Sequence, residues 1–190
     1  MREIYLADIR RSFRNYRQLA ETALAQIDDE HLTATLGTDD NSTDDNTIAV
    51  IMQHVAGNLR SRFTDFLTAD GEKPERDRDA EFESHPDVSR DALMADWNSA
   101  WDVLLHEIDG LTPADLDRTV NIRREPFAVV EALHRSMTHI AYHVGQIVFL
   151  AKHLMGANWT SLSIPKGRSR EIGMGTFKKG FVPTAGKPAS

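Results

Sequence analysis

Residues 131–154, EALHRSMTHIAYHVGQIVFLAKHL, constrain the fold more than any other stretch of the chain. Leu133, Met137, Ile140, Val144, Ile147, Ala151 and Leu154 recur at spacings of four and three, which lays an apolar seam along one face of a long helix. A helix with such a seam must bury it against other elements. Beside the seam runs a polar stripe of Ser136, His139, His143 and Gln146. His139 and His143 are four apart, so their imidazoles leave one side of the helix a turn from each other. Two imidazoles stacked this way can grip one metal ion. The same spacing fits two half-buried histidines bonded to backbone or water, so a third ligand from elsewhere must decide.

Three more segments carry the helical period. Leu6, Ile9, Phe13, Tyr16, Ala20, Ala23 and Ile27 predict a helix over Glu3–Ile27, with Arg10, Arg11, Arg14 and Arg17 as a solvated face. Ile48, Ile51, Val55, Leu59, Phe63 and Phe66 predict a second over Thr47–Leu67, capped by Asp45 or Asn46. Leu93, Trp97, Ala100, Trp101, Leu104 and Ile108 predict a third over Arg90–Ile108, capped by Ser89. Pro126 is expected to open the fourth, which ends near Gly156. Four amphipathic helices imply an all-α four-helix bundle.

A second polar line, His54, Asn58 and Arg62, runs beside the apolar stripe of the second helix. His54 stands next to Val55 and should point near the interior. Set across a bundle from His139 and His143, it would complete a three-histidine site. On its own it would be an ordinary satisfied core histidine.

The connectors are long. Residues 28–46 are acidic and aperiodic, with an extended piece expected near Leu32–Leu36. Asp39, Asp40, Asp44 and Asp45 do not have the spacing of a calcium loop. Residues 68–88 are dense in charge, with a turn at Asp70-Gly71. His85 precedes a proline and is not paired with the other histidines. Thr112-Pro113 should start a short helical turn, and Val120–Ile122 should be briefly extended. The domain reading is a bundle over 1–159 and a basic Gly/Pro-rich tail over 160–190 packed on it, its last ten or so residues mobile.

Composition narrows the function. The chain of 190 residues carries a net charge of −7, which argues against general nucleic-acid binding and against adhesion to an anionic membrane. With no cysteine, any metal must be held by His, Asp, Glu or main chain. No run of apolar residues is long enough to span a bilayer and no signal segment is visible, so the cytoplasm is the expected location.

Residues 51–82, IMQHVAGNLRSRFTDFLTADGEKPERDRDAEF, and 134–154, HRSMTHIAYHVGQIVFLAKHL, resemble the DinB-like (DinB/YfiT) superfamily of metal-dependent helical proteins. The shorter runs HVAGNLRSR, TDFLTADGEKP and SLSIPKGRS are similar to an uncharacterised bacterial branch of it. The resemblance covers most of the chain. It implies that His54, His139 and His143 form a metal triad for a divalent ion.

Three imidazoles leave open positions on an ion, the pattern of a catalytic rather than a structural site. Zinc or nickel suits the ligands best, and iron or manganese is compatible. Such an ion can activate water for hydrolysis or bind a thiolate. Relatives in the superfamily include thiol-dependent transferases and isomerases, which implies a low-molecular-weight thiol as partner. Asn58 and Arg62 are candidates for binding an anion or supporting the ligands, Arg62 equally for an ion pair with Asp70 or Glu72. Gln146 is a candidate for touching bound water. Neither Glu131 nor Asp65 is well spaced to serve as a general base, which weakens the hydrolytic reading. The alternative is a non-catalytic dimerising or ligand-binding bundle, and a homodimer is reasonable in either case.

Overall fold

The first helix, α1, runs over Arg2–Leu24 and buries Leu6, Ile9, Phe13, Ala20, Ala23 and Leu24. α2 spans Ile48–Phe63, α3 Arg90–Gly110 and α4 Val129–Met155. The computed structural model describes residues 1–36, 46–85, 87–167 and 170. α2 packs on both α3 and α4, while α1 covers α4 and the edge of α3. The architecture is an all-α four-helix bundle, as the periodicity implies.

α2 is the most enclosed of the four. Its apolar stripe and even His54, Asn58, Ser61 and Arg62 are buried. Burying that many polar groups is tolerated only where each finds a partner or faces a lined cavity. Phe63 meets Phe13 edge-on with ring centroids 6.1 Å apart, and Trp97 and Trp101 lie 5.6 Å apart within the same core.

Several local features differ from what the sequence pattern predicts. Asn46 does not cap α2, and Asp45 lies outside the described residues. Thr47 is the cap, its Oγ1 accepting the Val50 N–H at 3.3 Å, because it is the last extended residue before the helix. Ser89 caps α3 as expected. Leu32 ends a short 3-10 turn, Asp29–Leu32, instead of starting an extended piece. The arginines of α1 are not a merely solvated face. Arg10 donates to the carbonyls of Ile108, Asp109 and Leu111, and so closes the C-terminus of α3, which has no basic residue of its own in its last turn. Arg17 bridges to Asn98 and Asp102.

Pro126 does not open α4. It lies in β2, Glu125–Ala128, which pairs antiparallel with β1, Thr119–Ile122. Its partner is Asn121, whose carbonyl turns outward to accept the Gly71 N–H at 2.8 Å. In a two-residue hairpin that position is a non-hydrogen-bonded pair, so the missing N–H of proline breaks no ladder bond. α4 begins three residues later, where Glu131 accepts the Ala128 N–H at 2.8 Å. That bond commits the Glu131 carboxylate to capping the helix.

Gln26 and Thr160 exchange two hydrogen bonds, and Leu162 is buried, so the first residues after α4 fold back on the end of α1. Asp39, Asp40, Asp44 and Asp45, and nearly all of the tail beyond 167, lie outside the described residues. Among the described residues, no helix is long and apolar enough to cross a membrane.

Candidate metal centre

α2 and α4 cross so that the second polar line of the one faces the stripe of the other. His54 Nε2 lies 3.1 Å from His139 Nε2, and His143 Nε2 lies 3.2 Å from the same atom. One ligand nitrogen from each of the three falls within 4.8 Å of the others. For zinc–nitrogen bonds of 2.0–2.1 Å, the edge of a tetrahedron is about 3.3 Å. The two edges through His139 are therefore close to the spacing that one small cation demands, and the third is no longer than 4.8 Å.

The rear nitrogens fix the tautomers. His54 Nδ1 is 2.8 Å from Glu81 Oε2. A carboxylate only accepts, so the proton sits on Nδ1 and the Nε2 lone pair points inward. His143 Nδ1 is 2.7 Å from Gln146 Oε1, which sets its tautomer the same way. Gln146 in turn donates to the Tyr142 hydroxyl at 3.3 Å. Its amide oxygen is held on His143 Nδ1, so it stands behind that ring.

His139 Nδ1 is buried with no partner. If it carries the proton, three lone pairs converge. If it does not, a buried acceptor is left without a donor. Either arrangement is unfavourable for three neutral rings alone, and a cation among the Nε2 atoms relieves the first. The donor set fits a metal. Burial, then the neighbouring His143 and His54, then Arg62 and Arg76 push the His139 pKa down to about 3. Burial also lowers His143. Both rings are therefore neutral near pH 7, the form that could bind a metal.

Glu81 carries no signal in the sequence because it lies in the long connector, in a 3-10 turn over Ala80–Phe82 with no periodicity around it. Arg76 holds it with two bonds, Nε to Oε1 at 2.7 Å and Nη2 to Oε2 at 2.8 Å. Burial alone would raise the carboxyl pKa, but the bonds from Arg76 and His54 outweigh it and keep Glu81 ionised. Its position behind His54 makes it an orienting group. It is not a base facing the open side of the triad.

The connector reaches the site because Gly57 has no side chain. A Cβ there would overlap Glu81 Oε1 and come within 2.7 Å of its Cδ. Phe82 packs on the His54 ring with centroids 4.6 Å apart. The connector thus forms one wall of the centre.

His54 and His139 also line a cleft of about 530 Å³, the size of a small-molecule site. Asn58 and Arg62 line it too, with Ser136 and Tyr142 from α4. Arg62 is bonded to the Gly71 carbonyl and to Glu72 Oε2 at 2.8 Å, so the ion-pair expectation is met while the residue still faces the cleft. Asn58 makes no side-chain hydrogen bond among the described residues.

Asp65 closes the C-terminus of α2 in a left-handed conformation, φ 52°, and its carbonyl accepts from Thr68 and Ala69, well away from the centre. A second group, Asp28, Glu30 and His31, is more exposed than the triad.

The family model described as a protein of unknown function, DUF1572, matches residues 1–168. No curated protein matches the chain.

Proposed function

The chain belongs to the DUF1572 family, and we propose that it is a DinB-like, divalent-metal-dependent enzyme acting on a small molecule. The observation that carries this reading is the convergence of three Nε2 atoms whose rear nitrogens are held by Glu81 and Gln146, or left bare on His139. A metal site with no neighbouring cleft would suggest a structural role. Here the cleft opens on two of the three ligands.

His54, His139 and His143 would hold the ion, with zinc or nickel best matched to three imidazoles. When bound, it would supply a Lewis acid to an oxygen or a thiolate sulfur of the substrate. The protein's part is to keep His54 in one tautomer through Glu81, to keep His143 in one through Gln146, and to orient the substrate from the cleft walls. No carboxylate of the described residues is placed as a general base on the open side. That favours thiol transfer over hydrolysis, because a thiolate needs no base once it has lost its proton.

The test is spectroscopic. Cobalt(II)-loaded protein titrated with cysteine, as a simple thiol, is expected to gain a sulfur-to-cobalt charge-transfer band, and the H139A variant is expected to lack it. If no thiol alters the cobalt spectrum, the thiol reading fails.

A narrower prediction concerns Gly57. In G57A the new methyl displaces the Glu81 carboxylate from His54, since Arg76 prevents that side chain from moving freely. Metal affinity should fall about 10- to 100-fold, while alanine's better helix propensity preserves the fold. Chelator competition measures it, and unchanged affinity would remove Glu81 from the account.

The alternative, a non-catalytic dimerising or ligand-binding bundle, draws on Tyr142 and Phe149. They are each 64% exposed and seven residues apart on one face of α4. A homodimer through that face is compatible with either reading.

A further inference from the structure

The cleft beside the triad has a charge opposite to that of the protein. Five guanidinium groups line it, from Arg62, Arg76, Arg78, Arg123 and Arg135, in a chain whose net charge is −7. They come from four separate elements: α2, the connector, the β1–β2 turn and α4. Such convergence is not a property of one solvated helix face.

The carboxylates beside these groups are already committed. Glu72 accepts from Arg62 at 2.8 Å and from Arg123 at 3.0 Å, with Arg76 at 3.8 Å. Glu81 is shared between Arg76 and His54. With Asp70, which is committed to backbone N–H groups of the neighbouring turn, three carboxylates against five guanidiniums still leave a cationic excess. Arg78 lies over the Phe82 ring, 5.0 Å from its centroid, and pairs with no carboxylate among the described residues. Arg135 makes no side-chain bond there either. Arg123 uses its Nε on Glu72, and its terminal nitrogens make no bond among the described residues.

The β1–β2 turn gives an independent sign. Its two residues, Arg123 and Arg124, have φ of 56° and 64°, a left-handed turn that ordinarily takes Asn-Gly. Asp70 holds it, its carboxylate accepting the Arg123 N–H at 2.9 Å and the Arg124 N–H at 2.7 Å. Strained residues persist where the surroundings over-determine them, commonly at binding sites. The placement brings the Arg123 side chain to the cleft. Asn58 and Ser136, both buried and without side-chain bonds among the described residues, add further donors on the wall nearest the histidines.

We propose that this cleft binds a small molecule through its anionic group, a carboxylate or a phosphate, which Arg78, Arg123 and Arg135 hold while its reactive end faces the histidines. The inference deepens the metalloenzyme reading by naming a substrate class and rests on that reading for the orientation. Guanidinium forks match both carboxylate and phosphate oxygens. In a chain of net negative charge, a cationic cleft of this kind attracts small anions.

The experiment titrates the full chain with inorganic phosphate in one arm and succinate in the other, following the arginine Nε–Hε resonances by NMR. Each arm is run on chelator-treated protein, so that no metal contributes a binding site. Saturable shifts of the Arg78, Arg123 and Arg135 signals are expected in at least one arm, and the stronger arm identifies the anion. The R78Q and R135Q substitutions together should weaken that binding about tenfold or more. R11Q, a charge change on α1 beside Asp8, should leave it unchanged. No saturable shift in either arm, or equal weakening by R11Q, overturns the proposal. Because the titration is metal-free, it can fail while metal still binds, and succeed if the triad binds none.

Discussion

His54→Ala, His139→Ala and His143→Ala are each expected to give a folded chain that no longer retains a divalent ion through purification, against about one ion per chain in the wild type. Structural zinc in small four-ligand sites is worth about 10–16 kcal/mol, so each ligand carries roughly 3 kcal/mol and its loss weakens binding a hundredfold or more. The fold should survive, because the apolar core runs through all four helices and includes none of the three rings.

Linkage adds a second readout. Metal at about a thousand times its Kd should stabilise the wild type by about 4 kcal/mol, roughly a 10 °C rise in Tm, and each variant should lose most of that rise. Acid acts in the same direction. The folded His139 pKa is depressed to about 3, so between the ordinary value of 6.5 and that point the unfolded chain binds the additional proton. Stability of the metal-free chain is therefore full above about 6.5 and declines as pH falls through this window. Protons also compete with metal for the rings, so release should begin in mildly acidic buffer. Variants that keep one ion per chain and the same Tm rise would show that the metal sits elsewhere.

Arg76→Ala is expected to be among the most destabilising single changes outside the apolar core, at about 3 kcal/mol. The Arg76 and Glu81 side chains are only 5% and 10% exposed. Removing one member of an enclosed, doubly hydrogen-bonded pair strands the other charge, which costs about 3–5 kcal/mol. Glu81 would be left ionised with His54 as its one remaining partner, and Glu72 would lose a neighbouring cation. R76K should recover little, since an ammonium cannot reproduce the fork. Urea unfolding of R76A, E81Q and the double variant gives the coupling directly. A loss below about 0.5 kcal/mol in R76A would make this an ordinary surface pair.

The bundle was legible because helical periodicity is a local property. The seam from Leu133 to Leu154 and the stripe from Ile48 to Phe63 name the buried faces of α4 and α2 without any tertiary information. The same periodicity put His54, His139 and His143 on inward-facing lines, and the structure brings their Nε2 atoms together.

Glu81 was not legible. Its place depends on a space at Gly57, a fork from Arg76 and a ring at Phe82, none of which leaves a period in an aperiodic connector. Pro126 misled because proline serves both at a helix start and in an edge strand, and only the register opposite Asn121 tells them apart. Arg123 was invisible as a cleft residue for a related reason. An Arg-Arg dipeptide does not announce a left-handed turn, and Asp70, which holds it there, is more than fifty residues away.

The most direct test of the account is X-ray absorption at the metal edge of wild-type protein reconstituted with zinc or nickel. The expected spectrum shows three imidazole nitrogens at about 2.0–2.1 Å, with a light atom at the remaining position. A shell with fewer than three imidazoles, or a protein that retains no metal after reconstitution, would contradict it.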